Sequence, residues 1–315
     1  MTLKAVFAVT EIGPEAAAGD YFTAMELGTA LEARYNWQID YRPKSEDWYD
    51  LAGVDVLIVM VDEYELPLIH HAAPGLITIA WARNWFERWC DHFWITDYSL
   101  LLASSRLALS YMSQRTGKLT RLLRIATNSA RFNTDQRWAT PKLDYVFTGS
   151  YWQSARDIVK ALAAVPSHFH GAIYGRHWEK LPELAHLNRG FIAYSRIHEI
   201  YQQAAVVIDD ANHVTKAWGA ANSRVFDALA AGCLVITNAE SVSQEVFGGR
   251  LPVYQHPEDL ARLLEMYLSD DERRKRLVNE LRFVVLKQHS YSHRAFELNL
   301  HLQLMAKKRN RTEGL

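Results

Sequence analysis

The residues best suited to binding and catalysis lie at 218–237, where a polar loop, a short helix and an apolar run follow one another. Asn222 or Ser223 can cap the helix, and the helix start exposes backbone N–H groups beside Arg224. Such a start suits a diphosphate, because unpaired N–H groups and a guanidinium both attract anions. Asp227 lies one turn further on, where a carboxylate can accept hydrogen bonds from sugar hydroxyl groups. Together these groups predict a nucleotide-sugar site.

The helix and the run after it are typical of an α/β fold. Val225, Phe226 and Leu229 fall on one face at helical spacing. Gly232 can end the helix, and Cys233–Thr237 is a short apolar run of the kind that fills a parallel sheet. The chemical groups therefore lie at a loop and helix start that precede a buried strand.

Residues 227–237, DALAAGCLVIT, are similar to the "E-A-x-A-x-G-x-P-V-I" segment of group-1 glycosyltransferases with the GT-B fold. The wider N-S-R-V-F-D version resembles the spore-maturation-protein-like branch of that superfamily. The resemblance implies that Asp227 binds the nucleotide ribose. Two positions differ from the family pattern, since Asp227 stands where Glu is usual and Gly219 stands at the place of the other acidic residue. The contact of that second acid with the donor sugar is therefore absent.

Further segments resemble the same family in the same order. FTGSYWQSARDIVKAL begins at Phe147, and the resemblance implies that Gly149 lets the chain approach the sugar donor while Arg156 faces its phosphates. IYGRHW, from Ile173, and the run that begins at Tyr194 resemble segments that approach the nucleobase. The resemblance thus adds Gly149, Arg156 and Tyr194 to the residues expected to bind the donor.

Departure of a nucleoside diphosphate builds up negative charge, which Arg156, Lys216 and Arg224 can stabilise together with the helix start at 222–223. We therefore expect no metal ion and no cofactor beyond the nucleotide-sugar substrate. Asp209-Asp210 ends a predicted strand, but one acid pair does not supply the converging oxygens that hard cations need. His70 and His71 would point to different sides of a helix and could not readily chelate one ion.

The segment after the first predicted strand, VTEIGPEAAAGDYF, is where the fold would bring an acceptor towards the sugar donor. Asp20 is the first candidate for the general base of an inverting reaction, and Glu11 is the second. A capping role for Asp20 is an equal alternative, because Gly19-Asp20 opens a predicted helix. Gly13 and Gly19 do not form the G-x-G-x-x-G arrangement, which argues against a nicotinamide enzyme.

Composition indicates a soluble enzyme of two domains. The 315 residues are 49% hydrophobic and 23% charged, and the formal net charge of −1 gives no global attraction to nucleic acid. No apolar run reaches the ~18 residues of a membrane span, so we expect a cytoplasmic protein without a transmembrane segment, although peripheral membrane contact stays compatible with the sequence.

Strand-like and helix-like stretches alternate twice, which predicts two Rossmann-like domains with parallel sheets that face a central cleft. The expected domains are an acceptor-side domain at 1–135, a nucleotide-sugar-binding domain at 136–290, and a C-terminal helix and tail at 291–315 that crosses back to the first domain. The weakly patterned stretch Thr127–Lys142 is the expected linker. The predicted strands are Leu3–Val9, Trp37–Tyr41, Val54–Met60, Leu76–Trp81, Leu100–Ser104, Leu122–Ala126, Tyr145–Thr148, Gly171–Tyr174, Val206–Asp209 and Cys233–Thr237.

The sequence thus predicts a GT-B glycosyltransferase of polysaccharide biosynthesis, with a nucleoside-diphosphate sugar as donor and a glycan, lipid-linked or protein acceptor. Two alternatives stay open at this point. One is a nucleotide-sugar epimerase on the same scaffold, which would need no acceptor. The other is a non-catalytic domain that binds nucleotide sugar or glycan, which the missing acid at Gly219 makes credible.

Overall fold

The computed structural model describes residues 2–135, 140–152 and 156–312. The chain forms two compact units. The first contains Met1–Ile12, Ala18–Ala126 and His289–Leu315, and the second contains Gly13–Ala17 and Thr127–Gln288. No helix among the described residues has the length and apolar character that a bilayer crossing requires.

The first unit is built on a parallel sheet of six strands in the order β2-β1-β3-β4-β5-β6. The inner strands β3 and β5 read VLIV and LLLA and are buried along their whole length, as expected for a sheet covered on both faces. The strands are β1 Lys4–Val9, β2 Gln38–Pro43, β3 Val56–Val59, β4 Ile77–Ala82, β5 Leu100–Ala103 and β6 Thr120–Leu122; the helices that accompany them are α1 Gly19–Tyr35, α2 Phe86–Asp91 and α3 Arg106–Thr116.

The second unit has a parallel sheet of four strands in the order β10-β9-β7-β8. Its strand β9, AAVVI, and β10, LVI, are completely buried. The strands are β7 Leu143–Thr148, β8 Gly171–Tyr174, β9 Ala204–Ile208 and β10 Leu234–Ile236; the helices are α4 Asp157–Ala163, α5 Ile197–Tyr201, α6 His213–Lys216, α7 Ser223–Ala230, α8 Glu240–Phe247, α9 Pro257–Ser269 and α10 Asp271–Gln288.

The last helix, α11 (Tyr291–Thr312), returns to the first unit and packs against α1. It buries Ala295, Leu298 and Leu302 at helical spacing. The predicted fold class, an α/β chain with two parallel sheets and a C-terminal helix that crosses back to the first domain, is confirmed.

Each sheet has one place where the chain reverses its direction across the strands. In the six-stranded sheet the chain moves from β1 to β2 at one edge and from β3 towards the other, so the reversal lies between β1 and β3. In the four-stranded sheet the corresponding neighbours are β7 and β9. Open parallel sheets bind ligands outside the carboxyl ends of such strands. These two crevices are therefore the places to look for a site.

The sixth strand differs from its prediction. It spans Thr120–Leu122, whereas the sequence pattern placed it at Leu122–Ala126. Leu123, Ile125 and Ala126 are buried, but they lie in irregular chain beyond the strand. The apolar run indicates burial, and a segment outside a strand can be buried as completely as a strand.

Two other predictions fall partly outside the described residues. The helix expected from Ser154 is described only as α4, because residues 153–155 lie outside the described part. Residues 136–139 of the expected linker lie outside it as well.

Candidate functional site

Two buried carboxylates follow β9, and each holds one arginine. Asp209 and Asp210 have side chains only 1% exposed. Arg224 donates from Nη1 to Oδ1 of Asp209 over 2.7 Å, and Arg156 donates from Nε to Oδ2 of Asp210 over 2.7 Å. The arginines are 13% and 10% exposed. Because the carboxylates are the more deeply buried partners, the guanidinium groups lie nearer the surface of this crevice.

Both guanidinium groups also lie beside the ring of Phe147, near the end of β7. The guanidinium carbons of Arg224 and Arg156 are 4.6 and 5.3 Å from the ring centroid. Arg224 Nε donates to the carbonyl of Thr148 over 2.7 Å. A Cβ at Gly149 would lie 2.8 Å from Arg224 Nη2, so glycine at this position leaves room for the arginine. The arginines are thus fixed by ion pairs, a ring and the carboxyl end of a strand.

The loop after β7 is fixed in turn to the loop after β8. Gly149 N donates to the Tyr174 carbonyl over 2.8 Å, and Trp178 Nε1 donates to the Gly149 carbonyl over 2.7 Å. A Cβ at Gly175 would lie 2.2 Å from the Gly149 carbonyl oxygen. Only a glycine permits this close approach of two backbones, because the atom that a side chain would meet is itself backbone.

The predicted cap of α7 is wrong in its chemistry. Asn222 occupies the N-cap position but forms no side-chain cap bond. Its Nδ2 instead donates to Asp209 Oδ1 over 2.9 Å. The buried carboxylate needs hydrogen-bond donors, and the Asn222 side chain supplies one to it. The first turn of α7 therefore receives no side-chain acceptor from Asn222, although Val225 N donates to the Asn222 carbonyl over 3.2 Å. Ser223, the other predicted cap, is the first helical residue and is half-buried.

A second polar layer follows β10 and was missed by the sequence reasoning. Asn238 Nδ2 lies 2.9 Å from both Asp210 Oδ1 and Asp157 Oδ2, and Asp157 forms a 2.6 Å ion pair with Lys216. Thr237 donates to Asp209 Oδ2 over 2.7 Å. The signal was present in the sequence as Thr237-Asn238, two polar residues directly after a buried strand.

Burial and the arginine act in opposite directions on the second acid. Removal from water raises the pKa of Asp210, while the charge of Arg156 and its hydrogen bond work to lower that pKa. Asp210 also accepts from the backbone of Ile158 over 3.3 Å and from the Tyr254 hydroxyl over 3.3 Å. These donors satisfy a carboxylate that would otherwise be costly to bury.

Asp227 is also buried in the second unit, at 3% exposure. Its Oδ1 accepts a hydrogen bond from the Thr127 hydroxyl over 2.7 Å. Tyr194 packs edge-on against Phe132 at 6.1 Å, and the guanidinium of Arg131 lies 5.2 Å from the Tyr194 ring centroid. The sequence-predicted residues thus form a polar group around Asp209 and Asp210, with Lys216 joined through Asp157 and with Asp227 and Tyr194 held by other partners.

The candidate bases belong to the first unit, where both bind backbone amides. Asp20 Oδ2 accepts from Thr10 N over 2.5 Å, and Glu11 Oε1 accepts from Ala18 N over 2.7 Å. The N-cap residue of α1 is Ala18, which forms no side-chain cap bond, so Asp20 ties the end of β1 to the first turn of α1 instead of capping the helix. The two carboxylates close the loop after β1 at both of its ends.

Arg83, after β4, is the cation of this crevice. It donates from Nη2 to the carbonyl of Met60, the residue that follows β3, over 3.3 Å. Burial lowers the pKa of Arg83, and the charge of Asp20 opposes that effect. A carboxylate and a guanidinium therefore influence each other beside the carboxyl ends of β1 and β3.

The histidine pair does not have the conformation assumed from the sequence. His70 and His71 lie outside any helix, and within the described residues they form one cluster with Asp50. The helical geometry that argued against joint chelation therefore does not apply to them.

Comparison with known families identifies the class of protein. The family model described as "Glycosyl transferase-like" matches residues 136–299, slightly more than half of the 315 residues. The chain belongs to this family, and the protein is an enzyme of the glycosyltransferase class. A comparison with curated protein sequences finds no match.

Solved structures of very different sequence share the fold. Phage T4 BGT in complex with its UDP-glucose substrate is 12% identical, with 96% of this chain and 99% of that chain covered and a TM-score of 0.63. AviGT4, a glycosyltransferase involved in avilamycin A biosynthesis, is 13% identical, with 97% and 98% covered and a TM-score of 0.66. Anabaena Alr3699/HepE in complex with UDP and glucose is 12% identical, with 96% and 99% covered and a TM-score of 0.65. These likenesses establish the GT-B fold.

Proposed function

We propose that this glycosyltransferase takes its sugar from a nucleoside-diphosphate donor, which binds in the crevice between β7 and β9. One observation carries the proposal. Two arginines lie at the carboxyl ends of these strands, each anchored by a carboxylate that is more deeply buried than the arginine itself. Anchored guanidinium groups need little reorganisation when negative charge develops, which is the property that a departing diphosphate requires.

The electrostatic roles follow from the hydrogen bonds. Arg156 already donates to Asp210 and to the Ser150 carbonyl. Its proposed contribution is therefore fixed positive charge, and not a direct hydrogen bond to the phosphates. Arg224 uses Nε and Nη1, and its Nη2 has no hydrogen-bond partner among the described residues. Arg224 therefore is the proposed direct phosphate contact. The uncapped start of α7 and the more exposed Lys216 add positive potential.

The remaining donor contacts are proposed with different roles. Gly149 gives the phosphates access to the backbone and to Arg224, and Ser223 is a hydroxyl on the first turn of α7. Asp227 is proposed to bind the ribose through a carboxylate that Thr127 already orients. Tyr194 is proposed to contact the nucleobase with the ring that packs on Phe132.

The acceptor is proposed to be a glycan, a lipid-linked saccharide or a protein, with Asp20 as the general base if the reaction inverts. The carboxylate of Asp20 is buried and accepts a hydrogen bond from the Thr10 amide, which fixes its position at the end of β1. Glu11 is the second candidate, because its carboxylate belongs to the same loop.

We propose that transfer needs no metal ion, since arginine, lysine and a helix start supply the positive charge. Asp209 and Asp210 support this proposal, because their oxygens accept hydrogen bonds from arginine, asparagine and threonine side chains. One solved relative, phage T4 BGT, has been crystallised with UDP and Mn²⁺. The metal requirement is therefore measured directly, by turnover in EDTA and after addition of Mg²⁺ or Mn²⁺.

The test uses UDP first, because several structures of the same fold contain UDP or UDP-glucose. Calorimetry with UDP should show binding to the wild-type protein and loss of binding in Arg224→Gln. Arg262→Gln is the matched control, since its guanidinium is 68% exposed on α9. Equal UDP affinity in both variants would place the donor elsewhere.

Product analysis separates this activity from epimerisation. A transferase releases UDP only as fast as sugar reaches an acceptor or water, and the sugar keeps its identity. An epimerase on the same scaffold would release UDP and an epimerised free sugar at an equal rate with and without acceptor. Chromatography of the released sugar, with candidate saccharide acceptors present or omitted, decides between the two.

A further inference from the structure

Two connections of the first unit run side by side. The β2–β3 connection contains Asp50 and the β3–β4 connection contains His70, and these two residues pair as an isolated parallel bridge. Leu51 N donates to the His70 carbonyl over 3.1 Å, and His70 N donates to the Tyr49 carbonyl over 3.0 Å. The backbone therefore fixes the two connections to each other at this point.

The bridge brings three metal-binding side chains together. One ligand atom from each of Asp50, His70 and His71 lies within 4.8 Å of the others. Oδ1 of Asp50 is 3.3 Å from Nδ1 of His71. In tetrahedral coordination with bonds of about 2.0–2.1 Å, neighbouring ligand atoms are about 3.3 Å apart. The distance between Asp50 Oδ1 and His71 Nδ1 already has this length.

His70 is oriented by a partner of its own. Its Nδ1 lies 3.2 Å from the Leu68 carbonyl oxygen, which can only accept a hydrogen bond, so the contact favours the tautomer that carries hydrogen on Nδ1. Nε2 of His70 is then the atom with the lone pair. A backbone carbonyl on the far nitrogen is the usual partner of a metal-binding histidine, because it fixes the ring and its tautomer.

The charges around the cluster also suit a cation. The Ala52 amide donates to Asp50 Oδ1 over 3.1 Å, and the same carboxylate oxygen lies 3.3 Å from His71 Nδ1. Arg42 lies nearby and donates to the Asp50 carbonyl, but it also pairs with Asp40. The carboxylate of Asp50 faces His71, whereas the arginine binds the backbone oxygen of Asp50.

We propose that Asp50, His70 and His71 bind a divalent zinc ion, with water in the fourth position. Two imidazoles and one carboxylate suit Zn²⁺ better than Mg²⁺ or Mn²⁺, which prefer oxygen ligands. The ion would clamp the β2–β3 connection to the β3–β4 connection and so stabilise the first unit. The inference is independent of the proposed donor site, whose residues belong to the second unit.

The test is zinc titration of the full-length chain without a histidine tag, followed by calorimetry and by thermal unfolding. Wild-type protein should bind one Zn²⁺ and unfold at a higher temperature with zinc than without it. His71→Gln and Asp50→Asn should each weaken zinc binding at least about 10-fold, because removal of even an indirect metal partner costs that much. His186→Gln is the matched control, an exposed histidine outside the cluster that should bind zinc like wild type.

A wild-type measurement makes the result independent of variant folding. Modification of histidines by diethyl pyrocarbonate, read by mass spectrometry, should be suppressed by Zn²⁺ at His70 and His71 and unchanged at His186. The proposal would be overturned if the Asp50 and His71 variants bound zinc as tightly as wild type. It would also be overturned if saturating zinc left the modification of both histidines undiminished. UDP binding by these variants does not test the zinc proposal. The zinc proposal and the donor-site proposal can therefore fail independently.

Discussion

The crevices of the two units use their carboxylates differently. At β7 and β9, Asp209 and Asp210 hold the side chains of Arg224 and Arg156. At β1 and β3, Asp20 and Glu11 hold backbone amides of the loop after β1. The first arrangement fixes positive charge near a surface, and the second fixes the course of a loop.

The difference matters because the two arrangements respond differently to an anion. An arginine anchored by a buried carboxylate keeps its position when a phosphate arrives, so binding costs little conformational entropy. A carboxylate fixed by a backbone amide is held in place in the loop, which is what a positioned proton acceptor needs. The proposed roles, charge stabilisation in the second unit and proton transfer in the first, can therefore be tested separately.

The largest expected effect comes from Arg224→Ala. It leaves the Asp209 carboxylate buried without its ion-pair partner, which should lower the free energy of unfolding by about 3–5 kcal/mol. Loss of a preorganised donor should also lower turnover about 100- to 1,000-fold. Urea denaturation and steady-state rates measure the two effects. The exposed pair of Arg262 and Asp259 serves as the control, where Arg262→Ala should cost under about 1 kcal/mol.

A double variant separates structure from chemistry in that result. Arg224→Gln combined with Asp209→Asn removes both charges, so part of the lost stability should return. Turnover should stay low, because the guanidinium proposed to contact the phosphate directly is missing. Full recovery of turnover in the double variant would mean that Arg224 acts only by holding the fold.

The next effect concerns the loop carboxylates. Asp20→Asn keeps an oxygen for the Thr10 amide but removes the base, so the rate of an inverting reaction should fall at least about 100-fold while UDP affinity stays unchanged. Glu11→Gln is the matched substitution in the same loop and should retain most of the rate. NMR of the product's anomeric configuration accompanies the rates. An inverted product from a fully active Asp20→Asn enzyme removes Asp20 from the mechanism and leaves Glu11 to be tested as the base.

Local patterns were enough to predict the strands of the second sheet. Gly171–Tyr174 matches β8 in full, because Gly, Ala, Ile and Tyr lie between clear turn signals. The partners of the polar residues were not predictable in the same way. Arg156 and Asp210 are 54 positions apart, and Arg224 and Asp209 are 15 apart across a helix and a loop. Which charged side chains form ion pairs depends on strand order, and local periodicity does not predict strand order.

Two expectations from the sequence differ from the structure for related reasons. They are the strand at Leu122–Ala126 and the helical geometry assumed for His70 and His71. In both cases a regular element was assumed where the chain is irregular. Burial of Leu123 without a strand and the left-handed backbone of His71, at φ 55°, are both set by tertiary contacts. Periodicity reports on burial, and it does not report on the hydrogen bonds that the backbone makes.

The predicted role of Asp227 gives a smaller effect. Asp227→Asn should weaken UDP binding by about 1.5–3 kcal/mol if the carboxylate binds the ribose, the scale of a hydrogen bond to a charged group. Thr127→Val removes the hydroxyl that donates to Asp227 and tests whether that bond serves only the fold. Calorimetry with UDP and urea denaturation are run on both variants. Unchanged UDP affinity in a folded Asp227→Asn protein excludes the ribose contact.

The smallest effect concerns a buried arginine of the first unit that binds a neutral imidazole as well as a carboxylate. Arg294 Nη1 donates to Glu297 Oε1 over 2.9 Å. Arg294 Nη2 donates to Nδ1 of His289 over 2.6 Å, so the imidazole must stay neutral. Burial first, and then the charges of Arg294, Arg124 and His293, lower the pKa of His289 to about 3 from an ordinary value of 6.5. Below pH ~6.5 the unfolded chain therefore binds a proton that the folded chain refuses, and stability falls as the pH decreases.

At a pH of about 5 this linkage should reduce the free energy of unfolding by about 2 kcal/mol relative to neutral pH. His289→Gln keeps an acceptor for Arg294 but cannot take up the proton, so its stability should depend less on pH by that amount. Urea denaturation at several pH values, with hydrogen exchange of α11 to follow the first unit, measures the difference. Parallel pH profiles for wild type and His289→Gln would show that the acid sensitivity of this unit lies elsewhere. A shallower variant profile would show that His289, which must stay neutral beside Arg294, makes the stability of this unit depend on pH.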